Sequence, residues 1–276
     1  MTRTLLLDLD GTLINSAPDL LASCNRVMTP RGFAPFTLAQ ITPMIGDGAA
    51  TLVARIMAAR DQPSTPDDLR AFLADYLAHP VEHTHPYPGV PETLDLLSRT
   101  GWRLAICTNK PEAAARAILD HLGLSRHFPA IGAGDTYPVR KPDPGHLLAT
   151  LAAAGGDPAT AIMVGDHHND VAAAHAAQLP CIFVTWGYGP PTMGAQAEAL
   201  AHAFTEIPNL AEQILTQATI PQTHEQPVKP KWQYGATAPS LRSNGDGKHS
   251  RRDAGPERPS SASTCHGEPL TAARET

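Results

Sequence analysis

Short, continuously apolar runs alternate with amphipathic segments through the first 220 residues of the chain. Such runs are typical of parallel strands that are covered on both faces. They are TLLLDLD (4–10), RLAICT (103–108), PAIGAGD (129–135), AIMVGD (161–166) and CIFVTW (181–186). Three intervening segments have Pro or Asp near the start and Gly at the end, as helices do. They are PETLDLLSRTG (91–101), PEAAARAILDHLG (111–123) and DPGHLLATLAAAG (143–155). The alternation predicts an α/β fold with a doubly wound, Rossmann-like parallel sheet.

The interval between the first two runs is too long for a simple strand–helix–strand unit, which takes about 30 residues. Helical patterns occupy this interval at 17–28, 49–60 and 66–78, and it contains no convincing strand. We therefore predict a catalytic core over residues 1–16 and 86–220, with a small α-helical domain inserted over residues 17–85. The Pro-rich stretch at 79–89 would be the hinge by which the chain returns to the core.

The last 56 residues, 221–276, differ in composition, with 7 Pro, 5 Gly and 6 Ser and only five large apolar residues. Such a segment buries too little apolar surface to offset the entropy lost on ordering, so we predict a disordered tail.

Composition narrows the class of protein further. A net charge of −6 argues against a nucleic-acid-binding protein, and 42% hydrophobic residues allow a sizeable core. The four cysteines are scattered without CxxC spacing, which favours reduced thiols in a cytoplasmic protein. No apolar run reaches the roughly 18 residues of a membrane helix, and the N-terminal run is too short for a signal peptide.

Each strong strand is predicted to end in polar residues. The first run ends in Asp8 and Asp10, and the run at 103–108 is closed by Thr108, Asn109 and Lys110. The run at 161–166 ends in Asp166. Lys141 follows the short run at 129–135. In open parallel sheets ligands bind beyond the carboxyl ends of the strands, so we expect these side chains to share one rim.

The spacing of the acids indicates that they converge. Residues two apart on a strand point the same way, and Gly11 allows a sharp turn directly after Asp8 and Asp10. Asp166 and Asp170 lie four apart where a strand passes into a helix, which directs Asp170 back towards the strand end. Two carboxylates about 4 Å apart repel by about 4 kcal/mol at an effective dielectric constant near 20, so such a cluster needs a cation.

Carboxylate oxygens favour Mg²⁺, which also binds substrate phosphates. Lys141 would add a positive charge, and a phosphate group would complete the arrangement. An aspartate can act as the nucleophile and form an aspartyl-phosphate. We therefore expect Asp8 to attack phosphorus. Asp10 would protonate the leaving alcohol and then activate the water that hydrolyses the intermediate.

The chain resembles the haloacid dehalogenase (HAD) superfamily of phosphohydrolases over about residues 1–215, through four motifs in the family's order. They are DLDGT (8–12), Thr108 in CTNK, Lys141 in RKPDP, and GDHHND (165–170). The resemblance implies an Mg²⁺ ion held by Asp8, the backbone carbonyl of Asp10, and Asp166. It implies phosphate contacts from Thr108, Asn109 and Lys141. It also implies that the helical insertion is a cap that closes over the substrate.

Four stretches are similar to the bacterial phosphoglycolate phosphatases of this superfamily: DLDGTLINSAPDL, MIGDGAATLV, YPGVPETLDLL and GDTYPVRKPDPGHLL. This similarity implies hydrolysis of 2-phosphoglycolate to glycolate and phosphate. Asn15, Asp47 and His167 depart from the common pattern, in which Asp, Asn and Ser respectively are frequent. Asp170 either coordinates the metal directly or, as we favour, orients Lys141 or a metal-bound water without touching the ion itself.

Other functions stay open at this point. Hydrolases of pyrophosphate or of other small phosphate esters share the motifs, and so does a phosphosugar mutase. A haloacid dehalogenase proper would lack Asp10, and a phospho-receiver module would lack residues 17–85. The histidines at 79, 83 and 85 and the pair at 167–168 are weaker candidates for a transition-metal site. We expect a small phosphorylated metabolite as the partner, no nucleic acid or membrane, and a monomer or homodimer.

Overall fold

The computed structural model describes residues 2–219. Its strands are β1 (Thr4–Leu7), β2 (Ile14–Asn15), β3 (His85–Pro86), β4 (Arg103–Cys107), β5 (Ala130–Gly132), β6 (Ala161–Gly165), β7 (Cys181–Val184) and β8 (Ala199–Ala201). Its α-helices are α1 (Ala17–Met28), α2 (Leu38–Ile41), α3 (Ala49–Ala58), α4 (Pro66–Ala78), α5 (Val90–Arg99), α6 (Glu112–His121), α7 (Pro144–Ala153), α8 (His168–Ala176) and α9 (Ile207–Thr219). Six strands form one sheet in the order β5-β4-β1-β6-β7-β8, with every neighbouring pair parallel. The predicted α/β fold with a parallel sheet is confirmed.

Alternate residues of the central strands pack into two apolar cores. Leu5 and Leu7 of β1 lie in one core and Leu6 lies in the other. Residues of α5, α6 and α9 belong to the first core, and residues of α7 and α8 belong to the second. Burial of a leucine side chain stabilises a fold by about 1.5–3 kcal/mol. Three consecutive buried leucines therefore favour the central position of β1, and burial on both faces explains its continuously apolar sequence.

The helices α1 to α4 lie between β2 and β3 in the chain, within the segment assigned to an inserted domain. Helix α1 packs against α4, where the stacked rings of Phe72 and Tyr76 have centroids 5.9 Å apart. The short strands β2 and β3 pair antiparallel, so the chain leaves and re-enters the sheet region side by side. The bounds 17–85 and the action of this segment as a cap stay predictions.

The structure differs from the predicted elements at several places. His85 of β3 lies in the interval where no strand was expected, because a two-residue strand is too short to show periodicity. The strand predicted over 4–10 ends at Leu7. A tight turn follows, in which the Leu9 carbonyl accepts hydrogen bonds from the backbone N–H groups of Leu13 and Ile14, at 3.0 and 3.1 Å.

Two further expectations concern redox state and the membrane. Cys24, Cys107 and Cys181 are free and buried. Among residues 2–219, no helix combines the length and the apolar character needed to cross a membrane. The predicted disordered tail, residues 221–276, lies outside the described residues.

Candidate active site

Three neighbouring strands, β4, β1 and β6, carry Thr108, Asp8 and Asp166 just beyond their carboxyl ends. The backbone N–H of Asp8 donates to the carbonyl of Val164 at 2.9 Å, so Asp8 continues the ladder of hydrogen bonds between β1 and β6. All three polar side chains are buried. The sheet thus places them together at the edge where parallel sheets bind ligands.

A cluster of carboxylates forms at this edge. One oxygen from each of Asp8, Asp166 and Asp170 lies within 4.8 Å of the other two. Asp166 accepts hydrogen bonds from the Thr12 hydroxyl at 2.9 Å and from the backbone N–H of Tyr188 at 2.8 Å. Burial, followed by the nearby charges of Asp8 and Asp170, raises the pKa of Asp166 above its ordinary value.

Lys141 lies between two of these acids. Its Nζ is 2.6 Å from Oδ1 of Asp170 and 3.0 Å from Oδ1 of Asp8, and its side chain is 1% exposed. Burial alone would lower the pKa of Lys141, but the charges of Asp170 and Asp8 outweigh it and raise this pKa. Lys141 therefore stays an ammonium ion and holds both carboxylates.

The donor set fits a hard divalent cation. Three buried carboxylates and one ammonium leave two negative charges, and a cation with oxygen ligands would offset them. Both oxygens of Asp170 are already engaged, one by Lys141 and the other by the backbone N–H of His167 at 3.0 Å. These contacts suit Asp170 to orienting Lys141 rather than to binding the ion directly.

Asp10 points to different partners. Its Oδ1 accepts from the hydroxyl of Ser16 at 2.5 Å, and the Nζ of Lys110 lies 3.0 and 3.1 Å from its two oxygens. The sequence placed Lys110 on the same rim but assigned it no role. The signal available was its position directly after a buried strand.

The residues after β4 have separate roles in the structure. The side-chain amide of Asn109 donates to the carbonyls of Gly46 and Lys141, at 3.1 and 3.0 Å. Its nitrogen is therefore committed to joining the loop before α3 to the core, and its Oδ1 is buried with no hydrogen-bond partner among residues 2–219. The phosphate contacts assigned to Thr108 and Asn109 stay predictions.

A cavity lies between the rim and the helical segment. The rim lines it with polar side chains, namely Asp8, Asp10, Thr108, Asn109 and Lys110. The helical segment lines it with mostly apolar side chains, among them Leu20, Ile45, Leu52, Phe72 and Tyr76. A small ligand with a charged end and a compact remainder suits this lining.

The histidine clusters are less suited to a metal. Ligand atoms of Asp47, His167 and His168 lie within 4.8 Å of one another. The Asp47 carboxylate, however, is already paired with Arg55 at 2.6 Å and accepts from the Asn169 amide at 2.7 Å. Among the described residues, the histidines at 79, 83 and 85 form no common group at ligand distances.

The parallel sheet gathers buried carboxylates and a buried lysine beside a cavity at the carboxyl ends of its central strands, an arrangement suited to binding a cation and a phosphate group. The pattern of the family of haloacid dehalogenase-like hydrolases matches residues 5–184. The chain belongs to this family, and it is a phosphatase.

Known relatives agree with this placement. A phosphoglycolate phosphatase of Agrobacterium fabrum (strain C58) is 41% identical over 216 residues, which cover 76% of this chain and 93% of the relative. The crystal structure of a predicted phosphoglycolate phosphatase from Haemophilus somnus 129pt has a TM-score of 0.70 and 29% identity, covering 76% of this chain and 97% of that one. CbbY from Rhodobacter sphaeroides, in complex with phosphate, has a TM-score of 0.66 and 25% identity, covering 75% and 96%.

Proposed function

We propose that the protein is an Mg²⁺-dependent phosphomonoesterase that hydrolyses 2-phosphoglycolate through an aspartyl-phosphate on Asp8. The observation that carries the proposal is the difference between the contacts of the two Asp8 carboxylate oxygens. Its Oδ1 is fixed by Lys141 at 3.0 Å and by the backbone N–H of Leu9 at 2.7 Å. Among residues 2–219 no side-chain or backbone group donates a hydrogen bond to its Oδ2, and Asp8 lines the cavity. One oxygen is oriented and the other is available for attack.

The reaction follows in two balanced steps. In the first, Oδ2 of Asp8 bonds to phosphorus, the phosphorus–oxygen bond to the alcohol breaks, and the leaving oxygen takes a proton from Asp10. In the second, the oxygen of a water molecule bonds to phosphorus, the bond between phosphorus and Oδ2 of Asp8 breaks, and Asp10 takes the proton that the water loses. This step releases inorganic phosphate and restores Asp8. Lys141 and Thr108 would contact the phosphoryl oxygens.

Asp8, the Asp10 carbonyl and Asp166 would hold Mg²⁺, which supplies charge neutralisation for the phosphoryl group when it is bound. Asp170 would keep Lys141 in place. The helical segment over residues 17–85 would act as the cap that excludes water, since its apolar side chains already line the cavity opposite the rim.

The choice of substrate rests on the similarity to known proteins. The Agrobacterium relative that bears the name phosphoglycolate phosphatase shares 41% identity over nearly its whole length. A small phosphorylated metabolite is thus the partner we propose.

Phosphate release with Mg²⁺ from a panel of substrates tests the proposal. The panel holds 2-phosphoglycolate, pyrophosphate, a nucleoside monophosphate, an amino-sugar 6-phosphate and a hexose 1-phosphate, with Asp8→Asn as the blank and the half-buried Asp157→Asn, outside the cavity, as the matched control. We expect kcat/KM for 2-phosphoglycolate to exceed the others by about tenfold or more. Asp157→Asn should keep the wild-type value. A different best substrate would overturn the substrate assignment, and phosphate release by Asp8→Asn near the wild-type rate would overturn the nucleophile.

A further inference from the structure

Lys110 is a buried charge with a definite set of partners. It is 5% exposed, although an unpaired ammonium ion is costly to remove from water. Its Nζ contacts both oxygens of Asp10, at 3.0 and 3.1 Å, and the hydroxyl of Tyr76, at 2.8 Å. The same Nζ lies 4.5 Å from the centroid of the Tyr76 ring. Of the described residues that line the cavity, Lys110 alone is cationic.

The charge state of Lys110 is fixed by these neighbours. Its Nζ contacts both oxygens of a carboxylate and one hydroxyl, so the ammonium form is the one that these contacts pair. It can hold a carboxylate, but it cannot itself act as the acid or base of a catalytic step.

The Asp10 carboxylate is held from two sides. Ser16, just before α1, donates its hydroxyl to Oδ1 at 2.5 Å, and Lys110 contacts both oxygens from the turn after β4. Tyr76 belongs to α4 of the helical segment and fixes the far side of the ammonium. The orientation of Asp10 thus depends on two residues of the core, Ser16 and Lys110, and, through Lys110, on one residue of the segment assigned as the cap.

We propose that Lys110 is a positioning residue for Asp10, which holds its carboxyl group towards the leaving oxygen and is itself held by Tyr76. This inference rests on the proposed function, in which Asp10 gives a proton to that oxygen. When the phosphorus–oxygen bond breaks, the proton leaves Asp10 for the alcohol and Asp10 becomes a carboxylate. Lys110 gains and loses no proton, and its charge stabilises the carboxylate that forms.

Substrates whose leaving groups differ in their need for a proton can separate the positioning of Asp10 by Lys110 from a general structural role of Lys110. The alcohols released from 2-phosphoglycolate and from 2-hydroxyethyl phosphate leave as poor anions, and both need the acid. The nitrophenolate released from p-nitrophenyl phosphate is a stable anion and needs it little. Values of kcat/KM report the steps up to release of the alcohol, so later hydrolysis of the aspartyl-phosphate does not enter the comparison.

For Lys110→Met with saturating Mg²⁺, we expect kcat/KM to fall by about 30- to 100-fold for both alkyl phosphates and by less than about threefold for p-nitrophenyl phosphate. Tyr76→Phe keeps the ring and removes the hydroxyl. It should lower kcat/KM for the two alkyl phosphates by about three- to tenfold and leave that for p-nitrophenyl phosphate nearly unchanged. Tyr137→Phe is the matched control, because Tyr137 packs on His146 outside the cavity and should affect the three substrates equally. In an Asp10→Asn background, Lys110→Met should add less than about twofold, since both changes remove one function.

Three results would overturn the inference. An equal loss for all three substrates would mean that Lys110 is merely structural, and thermal unfolding of the same variants would show it. A loss confined to 2-phosphoglycolate would mean that Lys110 binds the carboxylate of the substrate. Full additivity with Asp10→Asn would mean that Lys110 does not act through Asp10. Failure of the proposed substrate is a separate result: the wild type would then be poor on 2-phosphoglycolate, while the other two substrates would still report on Lys110.

Discussion

A Cβ atom on Gly11 would lie 2.4 Å from Oδ2 of Asp166. Gly11 has a φ of +85° and forms the turn that carries the chain away from Asp10. For Gly11→Ala we expect a left-handed backbone cost of about 1 kcal/mol, with displacement of the Asp166 carboxylate in addition. The affinity for Mg²⁺ should fall by about tenfold or more, measured by titrating phosphatase activity with the ion.

Gly101 offers the matched control for this prediction. Its φ is +83°, but no atom of residues 2–219, apart from its two chain neighbours, lies within 4 Å of the position that a Cβ would take. Gly101→Ala should show a similar backbone cost in urea unfolding, about 1 kcal/mol, while the dependence of activity on Mg²⁺ stays unchanged. Equal metal dependence in the two variants would show that the packing of Gly11 on Asp166 does not matter to the site.

Asp170 provides a second test of the rim. It holds Lys141 at 2.6 Å, and in Asp170→Asn the ammonium would keep Asp8 but lose its shorter ionic contact. We expect kcat/KM to fall by about 10- to 100-fold, because the lysine loses its fixed position against the phosphate. The control is Asp143→Asn, an exposed residue whose side chain caps α7 through the N–H of Gly145. Activity of Asp170→Asn near that of the control would contradict the orienting role.

Asp19 anchors the return of the chain from the helical segment. It is fully buried, and its carboxylate accepts the backbone N–H groups of Glu82, His83 and Thr84 as well as the Thr84 hydroxyl. Asp19→Asn would put an amide NH₂ against these donors. The free energy of unfolding should fall by about 2 kcal/mol or more, measured in urea.

The control for Asp19 is Asp67→Asn in the first turn of α4, where the carboxylate is exposed and pairs with Arg70. A surface change of this kind should cost no more than about 0.5 kcal/mol. Similar losses in the two variants would mean that the hydrogen bonds to Asp19 contribute no more than a surface ion pair.

The sequence predicted the fold where burial leaves a strong pattern. β1 and β6 are covered on both faces, so their sequences are continuously apolar and could be recognised. β8 could not, because Leu200 at its centre is 45% exposed and the strand has only three residues. The pair β2 and β3 has two residues in each strand, fewer than any periodicity requires.

The chemistry of the rim was predictable from the residue types at the ends of the strands, but which lysine pairs with which aspartate was not. Lys110 and Lys141 both follow apolar runs, and no local pattern indicates that one holds Asp10 while the other holds Asp8. That choice is made by packing between distant parts of the chain. The same holds for Asn109, whose amide contacts a loop 63 residues away in sequence. The catalytic roles of these residues stay predictions for the experiments above.

His146 gives the protein an acid-sensitive core. It is fully buried at the start of α7, its Nε2–H donates to the carbonyl of Ala133 at 3.1 Å, and its Nδ1 lies 3.8 Å from the Sγ of Cys107. Burial, aided by the charge of Lys141, lowers the pKa of His146 to about 4. The ordinary value is about 6.5, so the unfolded chain takes up a proton first as the pH falls.

His146 therefore stabilises the fold fully above about pH 6.5, and this contribution is lost as the pH falls towards 4. Between pH 7 and pH 5 it should lower the free energy of unfolding by about 2 kcal/mol. His146→Gln keeps an N–H donor but cannot take up a proton. Between pH 7 and pH 5 the variant should therefore lose about 2 kcal/mol less unfolding free energy than the wild type. Urea unfolding at both pH values measures it, with the exposed His121→Gln as the control. An unchanged pH dependence in His146→Gln would show that His146 is not the acid-sensitive group, because its removal would then leave the proton uptake on unfolding as it was.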